Sequence, residues 1–228
     1  MRALTVLNKT ITDCEACPRL VDYRQAIAQQ KRKQYRDWTY WGRPVPGFGD
    51  GHARLYVLGL APAAHGGNRT GRVFTGDRSG DWLYDALYRY GFASQAASRH
   101  RDDGLSLMDC YIGATVRCAP PGNKPAPDEF ERCSRFLREE VGLLENHCVV
   151  IALGKIAFDQ YLKLCRTQGR SMPAPLPKFG HGVVYRLPWG VTLLGSYHPS
   201  QQNTFTGRLT RSMFHAVFRK AREEINRA

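Results

Sequence analysis

The chain has no long apolar run. Its longest uninterrupted apolar stretch, residues 148–153, falls far short of the ~18 residues that cross a bilayer as a helix. Residues 1–12 lack the apolar core of a secretory signal and run straight into a cysteine pair. These absences predict a cytoplasmic protein with no membrane partner, in a compartment where thiols stay reduced. Internal repeats and low-complexity tracts are missing. So are the phosphate-binding patterns GxxxxGK[ST] and GxGxxG, which removes a nucleotide-loop reading. A metal-dependent nuclease or phosphoesterase would need clustered carboxylates at its site. The pair Asp102-Asp103 stands in a polar loop away from every motif and reads as solvated, which disfavours both.

Acidic residues are scarce beside basic ones. Of 228 residues, 33 are Lys or Arg and 20 are Asp or Glu, leaving a net charge of +13 and a pI near 9.7. A globular chain this basic fits a polyanionic partner, and nucleic acid is the first candidate. The 43% of hydrophobic residues is enough for a sizeable core, and the length suits one domain spanning 1–228.

Apolar runs and helical patterns alternate. Residues 19–36 read as a polar, basic helix, followed by a Gly/Pro-rich loop over 40–51. Short apolar runs at 54–60, 109–116, 148–153 and 191–196 read as buried parallel strands. Helices follow over 79–90, from Pro127 to near Gly142, from Gly154 through Tyr161, and over 208–222. A segment at 183–187 forms a hairpin with 191 onward. The expected fold class is α/β: three layers, α/β/α, with a mostly parallel four-stranded central sheet. In such sheets ligands bind beyond the carboxyl ends of the strands. That rule singles out the loops after Leu60, Val116, Leu153 and Ser196, and the polar residues worth reading lie in the first, second and fourth.

Seven cysteines in a reducing compartment need a reason other than disulfides. Cys14-x-x-Cys17 is a tight two-thiolate turn, while Cys118 and Cys133 form a looser pair. Four thiolates suit zinc or an iron–sulfur cluster, and the loose pair fits the larger span of a cubane better. A redox pair is the competing reading of the CxxC, but no strand precedes it. Cys110, Cys148 and Cys165 are left over; the first two read as small hydrophobes in strands.

The first loop reads Gly59-Leu-Ala-Pro-Ala-Ala-His-Gly-Gly-Asn-Arg-Thr-Gly-Arg-Val-Phe-Thr-Gly-Asp-Arg-Ser-Gly80. Its small residues permit close backbone approach to a ligand. Asn68, Arg69, Thr70 and Arg72 are candidate phosphate or base contacts. Phe74 either stacks on a base or anchors in the core. Asp77 is either a functional carboxylate or the N-cap of the next helix. Asn123, after Gly122, is a base-reading amide or a turn residue. His198 leads the fourth loop, where Ser200, Gln201, Gln202 and Asn203 are uncharged groups suited to a DNA groove, or parts of an ordinary solvated loop. Arg208 can pair with phosphate. His65 is a weaker candidate for the pocket or for DNA.

Three segments in order, 59–80, 114–125 (Ala-Thr-Val-Arg-Cys-Ala-Pro-Pro-Gly-Asn-Lys-Pro) and 196–210 (Ser-Tyr-His-Pro-Ser-Gln-Gln-Asn-Thr-Phe-Thr-Gly-Arg-Leu-Thr), resemble family 5 (type B) uracil-DNA glycosylases. The Cys-x-x-Cys-Pro-Arg opening and Pro44-Val-Pro-Gly-Phe-Gly49 match as well, so the resemblance covers nearly the whole chain. It implies the uracil-DNA glycosylase fold and one [4Fe–4S] cluster on Cys14, Cys17, Cys118 and Cys133, with a structural role. It implies a DNA-repair enzyme that flips uracil from the stack and hydrolyses its glycosidic bond. A monomer, nucleoid-associated in a prokaryote, is the default expectation.

On this resemblance the pocket comprises Gly59, Leu60, Ala61, Pro62, Ala63, Phe74, Asn123 and His198. His198 is expected to donate to O2 of the leaving base, Phe74 to stack on it, and Asp77 to position water or stabilise charge, with Asn123 as second candidate. The segment 200–203 with Arg208, and His65, Asn68 and Arg69, are expected on DNA. Better-known glycosylase families carry an Asp or Asn just after the first-loop proline, where this chain has Ala63 and Ala64. The loss of that polar filter implies wider substrate range, including hypoxanthine. The rival reading beside the nuclease is a non-catalytic DNA-binding module stapled by an iron–sulfur cluster, which explains the charge and the cysteines but not a pocket-like motif with Phe74 and His198.

Overall fold

The computed structural model describes residues 2–228. Its centre is one six-stranded sheet in the order β1-β3-β2-β4-β6-β5. The strands are β1 (Phe48–Gly49), β2 (Leu55–Gly59), β3 (Cys110–Ala114), β4 (Val149–Leu153), β5 (Val184–Arg186) and β6 (Thr192–Ser196). The four expected strands, β2, β3, β4 and β6, are mutually parallel. β5 pairs antiparallel with β6, as the hairpin reading required. The two-residue β1 on the other edge, antiparallel to β3, was not foreseen. All four parallel strands are buried along their whole length. That burial explains why they read as continuous apolar runs instead of alternating ones.

Side-chain alternation sends the two strand faces into separate cores. Leu55, Val57, Ile112, Ile151 and Leu194 pack with helices α4 (Arg78–Arg89) and α8 (Arg211–Ile225), through Leu83, Leu87, Phe214 and Phe218. Tyr56, Leu58, Val150, Ala152 and Leu193 face the other way. They meet α1 (Arg2–Thr12), α5 (Pro127–Leu143) and α6 (Lys155–Thr167), through Ile11, Phe136, Leu137, Phe158 and Tyr161. The period of two along a strand produces these layers.

Helix α1 was not anticipated. Its buried residues Leu4, Leu7 and Ile11 recur at three- and four-residue steps, the helical signature. The basic helix expected over 19–36 is shorter. α2 (Pro18–Gln30) ends where Lys31 takes a positive φ of 50° and donates its N–H to the Ile27 carbonyl at 3.0 Å. A 3-10 turn, Lys33–Tyr35, follows, and a four-residue helix α3 (Gly67–Thr70) stands in the loop after β2. The last helix starts at Arg211, not Arg208, because Thr210 caps it by accepting from the Met213 N–H. Cys148 is half-buried at the mouth of β4 and not inside it. No helix among the described residues is long and apolar enough to cross a membrane.

The connection from β2 goes to β3 on one side, and the chain then crosses to β4 on the other. β2 is therefore the topological switch point, where the diverging loops open a crevice.

Candidate active site

A cleft of about 620 Å³ opens at the carboxyl end of β2. The segment from Leu60 to Gly66 supplies its floor, and Ala114, Asn123 and His198 reach it from the loops after β3 and β6. Phe74 and Asp77 complete it from the loop leading into α4. Every expected pocket residue lines it except Gly59. Gly59 lies directly behind Phe74: a Cβ there would stand 2.8 Å from the phenyl ring.

Phe74 adopts a left-handed conformation, φ +52°, which costs a non-glycine residue about 1–3 kcal/mol. The surroundings impose it. A Cβ on Gly80 would meet the Phe74 carbonyl oxygen at 1.8 Å, and Tyr84 Oη donates to the neighbouring Val73 carbonyl at 2.9 Å. The phenyl ring is 9% exposed and its centroid is 5.8 Å from the His198 imidazole, tilted by 31°. Phe74 is thus a core anchor whose ring also forms a wall of the cleft.

Asp77 is the N-cap of α4 and also lines the cleft. Its Oδ1 accepts the Gly80 N–H at 3.0 Å and caps α4. Its Oδ2 points toward Gly66, where an added Cβ would be only 2.0 Å away. Burial raises the carboxyl pKa above its ordinary value, against the lowering effect of the Gly80 and Ser79 amides.

Burial alone pushes the His198 pKa down to about 4. The ring is therefore neutral near pH 7, with one N–H to donate. Its backbone is braced: Ser200 N–H and Asn203 Nδ2 both donate to the His198 carbonyl, each at 2.8 Å. Near the floor, the Ala61 and Ala63 amides find no protein acceptor among the described residues. A planar ligand here would meet an apolar wall, a neutral histidine, a carboxylate and unfilled backbone donors together.

Asn123 is exposed on the rim in a left-handed turn, φ +58°, following Gly122 at +59°. It is a turn residue and a cleft residue at once. His65 also lines the cleft, with Nδ1 3.0 Å from Tyr40 Oη. Burial, then Arg32 and Arg69, lower its pKa.

Several expected DNA contacts turn inward. Asn68 is fully buried and its Nδ2 donates to the Arg24 carbonyl at 3.1 Å. Arg69 is 3% exposed and donates to the carbonyls of His65 at 2.8 Å and Gly76 at 2.7 Å. Thr70 bonds backbone carbonyls within the loop. Arg72 is clamped by Asp103 at 2.7 and 2.8 Å and by Ser98 at 2.6 Å. The first-loop polar residues hold the loop's shape. Asp103 is accordingly not solvated, whereas Asp102 is.

In the fourth loop, Ser200 caps the short helix α7 (Gln201–Phe205), and Asn203 braces His198. Gln201 and Gln202 are exposed on the cleft rim. Arg208 is exposed over the Tyr197 ring at 4.6 Å. Sequence reasoning missed Arg32, Gln34 and Tyr35, which also line the cleft. The basic run was their only signal.

The four cysteines of the expected ligand set line a second, small pocket with Leu20, Val116 and Phe136. All seven cysteines are free thiols. Arg117 N–H points to Cys133 Sγ at 3.3 Å and Arg135 Nη2 to Cys14 Sγ at 3.7 Å. Burial pushes the Cys118 and Cys133 thiols up to about 12 and about 11. As the side chains stand, no three His, Cys, Asp or Glu groups among the described residues converge as metal ligands.

The fold and site define an α/β protein whose switch-point cleft, with an apolar wall, a neutral imidazole and a carboxylate, suits a small flat ligand. Residues 46–222 match the uracil DNA glycosylase superfamily. The type-5 uracil-DNA glycosylase of Mycobacterium tuberculosis is 53% identical over 218 residues, 95% of this chain and 80% of that protein. That of Thermus thermophilus is 49% identical over 214 residues, 94% of each. A type-4 uracil-DNA glycosylase of Pyrobaculum aerophilum is 27% identical over 198 residues, 86% of this chain and 83% of that protein. The chain belongs to the uracil-DNA glycosylase superfamily, within its type-5 family.

Proposed function

We propose that this protein excises uracil from DNA by hydrolysing the bond between the sugar C1′ and the base N1, after flipping the nucleotide into the cleft. The observation that carries this reading is the meeting of Phe74, Asp77 and a neutral His198 in one cleft. The departing base becomes an anion and the sugar an oxocarbenium-like cation. The His198 N–H donates to O2 as charge grows there, with the Ala61 and Ala63 amides as further donors. One such donor contributes ~10²–10³ in rate. Phe74 stacks on the base, and the Asp77 carboxylate faces the cation or orients water, with Asn123 on the rim as second candidate. Ser200, Gln201, Gln202 and Arg208 lie toward the DNA. The apolar methyls of Ala63 and Ala64 in the lining allow larger deaminated bases, hypoxanthine among them.

Cys14, Cys17, Cys118 and Cys133 would hold one [4Fe–4S] cluster. The donor set, the apolar pocket around it and the N–H groups of Arg117 and Arg135 aimed at sulfur all fit such a group. Bound there, it supplies a staple between the α1–α2 junction and the loop after β3. Hydrolysis moves no electrons, so the cluster takes no redox part in it. The chain acts as a monomeric single domain on nucleoid DNA.

The test is base release from duplex DNA carrying one uracil, in EDTA, with wild type, His198→Ala and Asp77→Ala. Free uracil and an abasic strand cut only after alkali are expected, with both variants slowed at least ~10²-fold. Intact DNA with wild type overturns the reading.

A further inference from the structure

Residues 31–36 read Lys-Arg-Lys-Gln-Tyr-Arg, four cations in six positions. Asp37 is the only carboxylate between residues 23 and 49. The segment lies outside the part of the chain matched to the superfamily, 46–222. Yet Arg32, Gln34 and Tyr35 line the same cleft as Asp77 and His198.

The segment is fixed to the substrate loop. The Arg69 guanidinium lies over the Tyr35 ring at 4.0 Å and the Trp38 ring at 4.1 Å. The same group bonds the carbonyls of His65 and Gly76, one residue before Asp77. Tyr40 adds a second tie through His65 Nδ1 at 3.0 Å. Arg69 is therefore consumed internally. Arg32, Lys33 and Arg36 are exposed and form no ion pair among the described residues.

A flipped nucleotide remains joined to a phosphate on each side, and these stay at the mouth of the cleft. We propose that Arg32, Lys33 and Arg36 grip backbone phosphates of the damaged strand where it enters the cleft, with Arg69 setting the distance from that grip to the pocket. The inference rests on the glycosylase reading of the cleft. It adds to that reading a sequence-independent wall, built from a segment the superfamily match does not include. Charge complementarity and continuity with the substrate cleft identify the occupant as the DNA backbone.

The experiment is the salt dependence of binding to a uracil-free duplex oligonucleotide. Three proteins are compared: wild type, the triple variant Arg32→Ala/Lys33→Ala/Arg36→Ala, and a control, Arg89→Ala/Arg166→Ala/Arg170→Ala. The control positions are exposed and stand at or beyond the ends of α4 and α6 that lie away from the cleft, so both triples lose equal charge. Each phosphate contact contributes about 0.9 to the slope of log K against log[salt]. The clamp triple should flatten that slope by about two to three, and each of its single variants by about 0.9, with the control unchanged. Equal slopes in the two triples, or single variants identical to wild type, overturn the clamp. The singles decide the matter if the triple fails to fold. Base release by wild type reports separately on the glycosylase reading, so the two can fail independently.

Discussion

Gly66→Ala should disable the proposed carboxylate without touching it chemically. The backbone at Gly66 has φ −102°, outside the left-handed region, so the obstacle to a side chain is its neighbour. An added Cβ would stand 2.0 Å from Asp77 Oδ2 and 2.8 Å from its Cγ, about 1 Å inside the 3.0 Å limit for the oxygen. The carboxylate must swing by about that much. On the helix side, this breaks the 3.0 Å bond from the Gly80 N–H, a capping loss of about 1 kcal/mol. On the substrate side, a misplacement of about 1 Å costs on the order of 10²-fold in rate. Single-turnover release of uracil measures the second effect and urea unfolding the first. A double-mutant cycle with Asp77→Gly isolates the cause, because glycine at an N-cap costs only a few tenths of a kcal/mol. In that background Gly66→Ala should slow release little further. Full additivity of the two losses, or a wild-type rate in Gly66→Ala alone, would refute the reasoning.

With its pKa pushed down to about 4 by burial, His198 should add no limb to the pH–rate profile between pH 5 and 8. A wild-type limb at 6–7 that vanishes in His198→Asn contradicts a neutral donor. Asp77, raised above 3.8 by burial, is protonated earlier than a free carboxyl as pH falls. Its active form is thus lost on the acid side, and Asp77→Asn should lack that limb. Glu140 is fully buried and accepts from Arg117 at 2.7 and 3.1 Å and from Tyr56 Oη at 2.7 Å. Glu140→Gln leaves the Arg117 charge without a partner and should cost about 3–5 kcal/mol in urea unfolding; a loss under about 1 kcal/mol is inconsistent with that pairing. Cys118→Ser should abolish bound iron and visible absorbance, while Cys165→Ser, buried in α6, keeps both. Equal iron in the two variants removes the proposed ligand set.

Much of this was legible in the chain itself. The strands could be read because each is a short apolar run buried on both faces. Once the strands are placed, their carboxyl ends say where Ala61, Phe74, Asn123 and His198 gather. Asn68, Arg69 and Arg72 were misread for a physical reason. A polar side chain in a Gly-rich loop looks the same whether its partner is a phosphate or the loop's own carbonyl. The partner of Arg72 is Asp103, 31 residues away, and no local pattern announces it. The N-cap role of Asp77 is local and could be read, but the packing of Gly59 against Phe74 and of Gly66 against the Asp77 carboxylate could not, since those partners lie 11 or more residues away in the chain.

The sequence by itself determined the α/β alternation, the parallel strands whose carboxyl ends open the cleft, and the basic charge. These depend on residue type and on spacing along the chain. Only the tertiary structure decided which polar groups face the cleft, that burial keeps His198 neutral, and that the basic segment after α2 becomes a wall of the pocket. Those outcomes depend on burial and on partners distant in sequence, and both exist only once the sheet has brought the loops together.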